Sequence, residues 1–542
     1  MNERITPPWD WLATPAPHLC EWLGKGIWDE RTIADQAYAL ADEDADFAAF
    51  VEGDIRMSRA EVIADAEALS AALYARGLRR GDVLAFQVPN WHEAGVINLA
   101  AAMSGLVVNP IVPIYRDHEV SLMLGDCRAR AFFVASEFRK YDFAAMAQRI
   151  KADLPDLSHV FTVRGQGPDD YAALLAEGRG ASFNRPVVDP HSVKMVLYTS
   201  GTTGRPKGVL HSHVTLSHIL QASAVHWGVK PGEATLMPSP VTHVSGYANG
   251  LEAPFVCGTQ TVLMEAWNAA EALELIDRHG LVGTVAATPF LVELAAAARA
   301  ASNGLPSFRF FACGGAAVPN DLIPAANAAF ENCRAFRVFG ASEVPLVSFG
   351  WPDNEALAAT TDGEIVDYTV RIVDDEDRPL PDGSEGEILA RGPGMLLGYA
   401  DEAQTREAIT PDGYFRTGDL GVKSAEGAIT ITGRKKDLII RGGENISAKE
   451  IEDVLHEHPG ITEAAVVAMP HERLGEGVCA YVIGAGAALT PEELSAHVMA
   501  SGLAKQKIPE RYEFVADFPR TASGKVRKDQ LRADVKAKIA AE

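Results

Sequence analysis

The chain has 542 residues, which is too long for one ordinary hydrophobic core, so we expect more than one domain. Hydrophobic residues make up 47% and charged residues 23% of the sequence, an average globular composition that excludes disordered, collagen-like and coiled-coil chains. The net charge of −24 repels nucleic-acid phosphates and anionic membrane surfaces, so we expect neither as a partner. Local donors must therefore hold any phosphate-bearing substrate.

The cysteine usage and the chain ends indicate a cellular compartment. The six cysteines are scattered along the sequence, and no two of them form a C-x-x-C pair. We therefore expect neither a disulfide framework nor a zinc site, and the reducing cytoplasm fits best. The first residues lack the apolar run of a signal peptide, and the last residues match no prenylation, peroxisomal or retention signal. A cytoplasmic protein is expected, and homo-oligomerisation is left open.

One uncharged stretch, Ala94–Tyr115, is long enough to cross a bilayer. It contains asparagines and prolines, which favour a soluble interpretation. We expect a buried helix over Ala94–Ser104, followed by a buried strand over Leu106–Val112, and no membrane insertion.

Helical and strand patterns alternate over the N-terminal part of the chain. Ser58–Glu61 has the spacing of a capping box that opens a helix. Alternation of this kind predicts parallel sheets covered by helices. The expected helices include Asp117–Asp126, Pro289–Ala301 and Pro319–Asn332, and the expected strands include Ala131–Ala135, Leu281–Ala286, Phe308–Cys313 and Ala335–Phe339.

The pattern changes after Thr360, where short apolar runs alternate with turn-rich segments. This predicts a small antiparallel sheet or barrel. Ser447–Glu450 and Thr490–Glu493 are further capping-box patterns, and they flank two strand patterns in a compact α+β unit. We therefore predict an α/β protein with αβ layers over about 1–335, a β-rich part over about 336–434, a hinge at 435–436 and a small mobile domain over 437–542.

The segment YTSGTTGRPKG, Tyr198–Gly208, has the composition of a phosphate-binding loop. Its glycines let the backbone N–H groups turn towards a ligand, and its short hydroxyls and Lys207 add further donors. A flexible surface turn is the simpler alternative, but apolar residues on both sides favour a loop between two packed strands. A Walker P-loop is excluded, because Lys207 precedes the last glycine and the glycine spacing is wrong.

The segment resembles the signature loop of the adenylate-forming enzymes, which include acyl- and aryl-CoA synthetases, peptide-synthetase adenylation domains and firefly luciferase. Further motifs of that family follow in its order, and the resemblance runs from about Ala34 to Arg532. The matching segments are PVTHVSG (Pro240–Gly246), CGGAAVP (Cys313–Pro319), FGASE (Phe339–Glu343), YFRTGDLG (Tyr414–Gly421), GRKKDLIIRGGENIS (Gly433–Ser447) and PRTASGKVRK (Pro519–Lys528).

The resemblance implies a nucleotide site assembled from these motifs. ATP, Mg²⁺ and coenzyme A are the implied cofactors, and Glu343 is the implied Mg²⁺ ligand. Phe339 and Ser342 replace the family's tyrosine and threonine, which preserves adenine stacking and one hydroxyl. The residues implied to bind ATP or AMP are Thr199, Ser200, Gly201, Thr202, Thr203, Gly204, Lys207, Gly314, Gly315, Ala316, Phe339, Gly340, Ala341, Ser342, Asp419 and Arg434.

The same resemblance implies the catalytic and channel residues. Lys525, His243 and Glu343 are the implied catalytic residues; composition alone would interpret Lys525 as a solvated lysine and His243 as a structural histidine. Lys436 falls at the hinge position. Gly442 and Gly443 are implied to line a coenzyme A channel, and Val244, Ser245 and Gly246 an acyl pocket.

These residues predict an ATP-dependent carboxylic acid:CoA ligase that forms an acyl-adenylate and pyrophosphate, then acyl-CoA and AMP. Its expected substrate is an alicyclic, aromatic or medium-chain acid, which places it in fatty acid metabolism, because the chain resembles most the branch that activates cyclohexanecarboxylate and medium-chain acids. The absence of a following carrier domain favours coenzyme A as acceptor. Two alternatives stay open: an adenylation enzyme that loads a carrier protein, and an inactive nucleotide-binding homologue.

Overall fold

The computed structural model describes residues 8–181, 183–199, 206–315, 318, 321–442, 444–486, 489–521 and 524–541. Within them, a seven-stranded sheet forms the first layer. Its strands are parallel except for the edge strand Ile55–Ser58, and helices bury its apolar strands. In spatial order the strands are Arg334–Val338, Phe310–Gly314, Gly283–Ala286, Ala234–Met237, Gln260–Leu263, Ala48–Glu52 and Ile55–Ser58.

A second seven-stranded sheet carries the strands on either side of the phosphate loop. Five of its strands are parallel, and two antiparallel strands extend it at one edge. In spatial order they are Gly398–Tyr399, Lys207–Ser212, Val193–Thr199, Val107–Pro110, Val83–Gln87, Ala131–Ala135 and His159–Val163. A short hairpin pairs Glu137–Phe138 with Tyr141–Asp142.

The β-rich segment is a four-stranded antiparallel sheet of Thr369–Val373, Glu385–Arg391, Phe415–Lys423 and Ile429–Arg434. A last sheet follows in the C-terminal part of the chain. It contains Glu444–Ile446, Ile439–Arg441, Gly475–Gly484 and Ile461–His471, with Arg511–Phe514 parallel to Gly475–Gly484.

Helices alternate with many of the strands, above all in the two parallel sheets. The α-helices are Ile33–Glu43, Arg59–Ala75, His92–Ser104, Asp117–Asp126, Phe143–Lys151, Tyr171–Gly178, His213–His226, Val244–Gly246, Ala253–Val256, Ala269–His279, Thr288–Ala301, Leu322–Asn327, Glu355–Thr360, Glu402–Ala408, Ala448–His456, Pro491–Ala500 and Lys528–Ala541. Pro17–Trp22, Lys435–Asp437 and Lys505–Lys507 are 3₁₀ turns, and Tyr247–Glu252 is a π-helix.

The predicted α/β class is confirmed, with parallel sheets followed by antiparallel ones. The predicted domain limits, the hinge at 435–436 and the mobility of the last domain stay predictions. The uncharged stretch Ala94–Tyr115 contains a buried helix and a buried strand, as expected. None of the helices in the described part of the chain is long and apolar enough to span a bilayer.

Two local predictions were wrong in detail. Among the described residues, the helix expected over Pro319–Asn332 covers Leu322–Asn327 and ends five residues before the predicted limit. Asn327, its last residue, accepts a hydrogen bond from the Ala335 N–H (2.7 Å) in the next strand through its side chain. The pattern at Ser447–Glu450 is half a capping box. The Ser447 hydroxyl caps the Glu450 N–H, but the Glu450 carboxylate pairs with Lys507 instead of returning to Ser447.

Candidate active site

The phosphate loop is held between two paired strands. Thr199 ends the strand Val193–Thr199, Lys207 begins the strand Lys207–Ser212, and these two residues are register partners across the ladder. The Tyr198 hydroxyl donates to Asp126 Oδ2 (2.7 Å). The Lys207 ammonium lies 5.2 Å from the centre of the Tyr399 ring. Five of the predicted loop residues lie outside the described residues: Ser200, Gly201, Thr202, Thr203 and Gly204.

The segment Phe339–Glu343 follows the carboxyl end of the strand Arg334–Val338, where ligands bind in parallel sheets. Gly340 is packed tightly, since a Cβ there would lie 2.2 Å from the Pro345 carbonyl oxygen. Ala341 and Val344 exchange backbone hydrogen bonds of 3.0 and 3.1 Å. His211 Nε2 donates to the Ser342 carbonyl (2.7 Å), which fixes the loop from the neighbouring sheet.

Glu343 is oriented by a residue that the sequence did not single out. The Tyr399 hydroxyl donates to Glu343 Oε1 (2.7 Å), and the Glu343 carbonyl accepts from the Leu396 N–H (2.8 Å). Tyr399 therefore contacts both candidate phosphate-site groups, Glu343 and Lys207. The short strand Gly398–Tyr399 brings it there by pairing with Lys207–Ser212.

Gly315 lies beside Lys525, whereas Gly314 is packed against the neighbouring strand. Gly315 has a φ of +81°, which side-chain-bearing residues rarely adopt, and a Cβ on it would lie 3.9 Å from Lys525 Cε. A Cβ on Gly314 would lie 2.7 Å from the Val338 carbonyl oxygen. Ala316, the third residue predicted for this wall, lies outside the described residues.

Asp419 and Arg434 face each other across two antiparallel strands as register partners. Arg434 Nε donates to Asp419 Oδ1 at 2.7 Å. Asp419 is buried, and its second oxygen, Oδ2, has no hydrogen-bond partner among the described residues. Burial raises the pKa of Asp419, while Arg434 and Lys525 act in the opposite direction. Burying a carboxylate oxygen without a hydrogen-bond donor costs free energy of folding. This atom is therefore suited to accept a hydrogen bond from a hydroxyl of a bound molecule.

Lys525 lies at the same group of residues, although it comes from the C-terminal part of the chain. Its backbone is held in a turn, because the Thr521 N–H donates to the Lys525 carbonyl (2.7 Å) and the Lys525 N–H donates to Thr521 Oγ1 (3.1 Å). Burial and the neighbouring Arg434 lower the pKa of Lys525 to about 8, whereas Asp419 and Glu343 oppose this change. Lys525 is therefore close enough to both carboxylates for their charges to act on its pKa.

His243 and the predicted acyl-pocket residues form one short segment. His243 Nδ1 is 3.2 Å from Ser245 Oγ, and the Ser245 carbonyl accepts from Asn249 Nδ2 (2.9 Å). Gly246 is required by close packing, because a Cβ there would lie 2.1 Å from the Pro240 carbonyl oxygen. Burial and the charge of Lys525 lower the pKa of His243 to about 4, so this imidazole is neutral at pH 7.

The predicted hinge residue, Lys436, lies near this group, since its charge acts on the pKa values of Lys525 and Asp419. Lys436 is exposed and lies in the 3₁₀ turn Lys435–Asp437, which begins directly after Arg434. Gly442 is also exposed, and its N–H donates to the Leu474 carbonyl (2.9 Å) in the C-terminal part of the chain. Gly443 lies outside the described residues.

The chain belongs to the AMP-binding enzyme family: the model of this family matches residues 38–400, and that of the AMP-binding enzyme C-terminal domain matches residues 450–525. It is an ATP-dependent, adenylate-forming ligase, as the sequence motifs predicted.

Two curated relatives and one solved structure show the range of the similarity. The chain is 33% identical over 525 residues to the medium-chain fatty-acid–CoA ligase of Escherichia coli (strain K12), covering 95% of this chain and 92% of the relative. It is 29% identical over 534 residues to the 2,3-dihydroxybenzoate-AMP ligase of Bacillus subtilis (strain 168), covering 97% and 98%. ATP-bound MatB from Rhodopseudomonas palustris superposes with a TM-score of 0.83 at 28% identity, covering 93% of this chain and 99% of that chain.

Proposed function

We propose that this ligase joins a carboxylic acid to coenzyme A in two steps within the site described above. A carboxylate oxygen of the acid attacks the α-phosphorus of ATP, the bond to the bridging oxygen breaks, and pyrophosphate leaves. The thiol sulfur of coenzyme A then attacks the acyl carbon, and AMP leaves. The observation that carries the proposal is that Lys525, from the C-terminal part of the chain, lies next to Gly315 and within electrostatic range of Asp419 and Glu343.

Lys525 supplies positive charge where two anions must meet. The acid and the α-phosphate repel each other, and charge develops on the phosphate oxygens as the new bond forms. In this arrangement Lys525 neutralises that charge, the unpartnered oxygen of Asp419 accepts a ribose hydroxyl, and Arg434 holds the Asp419 carboxylate in place. The neutral His243 adds no competing positive charge at the mouth of the acyl pocket.

Adenylation by the free enzyme is expected to slow as the pH rises through about 8. The pKa of Lys525 is lowered to about 8, so its ammonium is lost above that pH, and with it the charge that the first step needs. The kcat/KM for ATP, measured by pyrophosphate release on either side of this pH, reports the titration of the free enzyme. In Lys525→Arg, kcat/KM for ATP should no longer fall at alkaline pH, since arginine stays protonated. If kcat/KM still falls in this variant, the group that titrates is not Lys525.

Mg²⁺ fits the position of Glu343. This carboxylate is a hard oxygen ligand that lies close to Lys525 and to Lys207, which begins the strand after the phosphate loop. When bound, Mg²⁺ would neutralise phosphate charge. The chain's own contribution is the Tyr399 hydroxyl, which orients Glu343 by donating to Oε1.

Tyr399→Phe is expected to raise the Mg²⁺ concentration for half-maximal pyrophosphate release about tenfold, because the residue that orients a metal ligand is lost. Glu343→Gln should raise that concentration further, since it removes the charged ligand itself. Tyr414→Phe is a matched control, because Tyr414 is a buried tyrosine directly before the antiparallel strand Phe415–Lys423. Unchanged Mg²⁺ dependence in both Tyr399→Phe and Glu343→Gln would remove Glu343 from the metal site.

The acid is proposed to be alicyclic, aromatic or medium-chain. The name of the Escherichia coli relative, a medium-chain fatty-acid–CoA ligase, supports an acid of this size. A panel of carboxylic acids scored by pyrophosphate release tests the proposal; selectivity for acetate would contradict it.

Ser245→Tyr is expected to reduce activity on ring and medium-chain acids while sparing acetate. Overfilling a packed pocket costs ~1–3 kcal/mol, which is roughly a 5- to 150-fold loss in kcat/KM. The measurement is pyrophosphate release with octanoate, cyclohexanecarboxylate and acetate. Equal losses on all three acids would exclude Ser245 from the pocket.

Coenzyme A is proposed as the acceptor, because the Escherichia coli relative is named as a CoA ligase. Formation of a thioester with free coenzyme A tests this. Adenylate formation without thioester formation would favour carrier-protein loading instead, and no pyrophosphate release with any acid would indicate an inactive homologue. A cytoplasmic location is proposed as well, since all six cysteines are free thiols.

A further inference from the structure

A fully buried polar cluster connects the phosphate-loop strand to the acyl-pocket segment. Lys194 lies in the strand Val193–Thr199, and its ammonium donates to Glu252, to the Tyr247 hydroxyl (2.6 Å) and to Asn98 Oδ1 (3.3 Å). The Tyr247 hydroxyl donates in turn to Asn98 Oδ1 (2.6 Å). All four side chains are buried, and the lysine has used its three donors. None of the adenylation chemistry above requires these residues.

Two of the four residues delimit the π-helix that continues the acyl-pocket segment. Tyr247 begins the π-helix Tyr247–Glu252, and Glu252 ends it. The Tyr247 N–H donates to the His243 carbonyl (2.7 Å), and Asn249 within the π-helix donates to the Ser245 carbonyl (2.9 Å). Helices of this type are rare and occur frequently at functional sites. A shift of the π-helix would therefore move His243 and Ser245 directly.

Stability alone is a weak explanation for the cluster. Buried ion pairs are often no better for stability than apolar residues of similar size, because both charges lose their hydration. Glu252 Oε2 and Asn98 Nδ2 also have no hydrogen-bond partner among the described residues. An apolar cluster would avoid both costs, whereas directional hydrogen bonds fix the position of the π-helix in a way that apolar contacts do not.

We infer that Lys194, Glu252 and Tyr247 are positioning residues that hold the acyl-pocket segment against the phosphate-loop strand and thereby set which acids the pocket accepts. The inference rests on the proposed function of Val244–Gly246 as the acyl pocket. The cluster would affect acid selectivity by positioning His243 and Ser245. Its own side chains would contact neither ATP nor the acid.

The test measures acid selectivity in variants that leave no buried charge unpaired. Lys194→Met/Glu252→Leu removes both charges together, and Tyr247→Phe removes only one hydroxyl. The ratio of kcat/KM for octanoate to that for cyclohexanecarboxylate is expected to change about tenfold in the double variant, since small displacements of positioned groups have large effects on rate. Tyr247→Phe should change the ratio in the same direction by less, and the KM for ATP should stay within about twofold in both variants.

Arg309→Met is the matched control. Arg309 pairs with Glu233 at the amino ends of the strands of the first sheet, opposite the site, so its loss should leave the selectivity ratio unchanged. A folded double variant, or Tyr247→Phe, with the wild-type ratio would overturn the inference; if the double variant does not fold, Tyr247→Phe decides. Wild-type protein that releases no pyrophosphate with any acid would refute the proposed function instead.

Discussion

Lys525→Ala is expected to slow acyl-adenylate formation by about 100-fold or more, because it removes a charge aimed at the reacting phosphate. The same variant should convert supplied acyl-adenylate and coenzyme A to thioester at close to the wild-type rate, since that step needs no charge on the α-phosphate from this lysine. Single-turnover pyrophosphate release measures the first step, and thioester formation from synthetic acyl-adenylate measures the second. Lys528→Ala, three residues further along the chain, is the control for a local loss of charge.

Lys436→Pro should show the opposite pattern to Lys525→Ala. If the C-terminal domain rotates at residues 435–436 between the two steps, a proline that fixes φ near roughly −65° blocks the rotation. In the structure Lys525 already lies within electrostatic range of Asp419, so this variant should still form the acyl-adenylate but transfer it poorly to coenzyme A. Loss of the same step in both variants would contradict alternation between two domain orientations.

Asp419→Ala is expected to lower kcat/KM for ATP about 100-fold, because hydrogen bonds to a charged acceptor contribute ~1.5–3 kcal/mol each. The decisive comparison uses 2′-deoxy-ATP. If Asp419 accepts the ribose hydroxyls, the preference of the wild-type protein for ATP over 2′-deoxy-ATP should largely disappear in Asp419→Ala. A preference that survives unchanged would place the ribose elsewhere.

The same residue should limit stability at neutral pH. Burial raises the pKa of the Asp419 carboxyl in the folded state above its value in the unfolded chain. Its contribution to stability is therefore complete below the unfolded pKa and is lost as the pH rises through the folded one. At pH 7 the charged carboxylate is a cost, so Asp419→Asn should raise Tm while it lowers activity, and the gain in Tm should vanish at acidic pH. A lower Tm at pH 7 would show that the pair with Arg434 outweighs burial.

Local elements could be predicted from the sequence because their signals are contained in a few adjacent residues. The helix Asp117–Asp126 and the strand Ala131–Ala135 occur with the expected limits, and the capping box at Ser58 is complete. Ser447 is an example in which the local signal predicts only part of the contacts. Its capping pattern is correct, but Lys507, which is distant in sequence, takes the Glu450 carboxylate.

Contacts between residues that are far apart in sequence could not be predicted. Tyr399 and Glu343 are 56 residues apart, and Lys194 and Asn98 are 96 residues apart. Each of these residues looks ordinary in its own segment, since a tyrosine in a short strand and a lysine in an apolar run carry no local signal. The convergence of Lys525 with Asp419 was expected only from family resemblance, because composition alone would place this lysine in solvent.

The position of Arg434 relative to the proposed pivot affects whether the acyl-adenylate stays bound between the two steps. Arg434 ends its strand and lies directly before the proposed pivot, whereas Lys525 lies far beyond it. A rotation about residues 435–436 would thus carry Lys525 through a wide arc and leave Asp419 and Arg434 stationary. The adenylate would remain anchored by its ribose while its surroundings are exchanged. The reaction would then stay committed to the thioester, and a reactive mixed anhydride would not escape into water between the two steps.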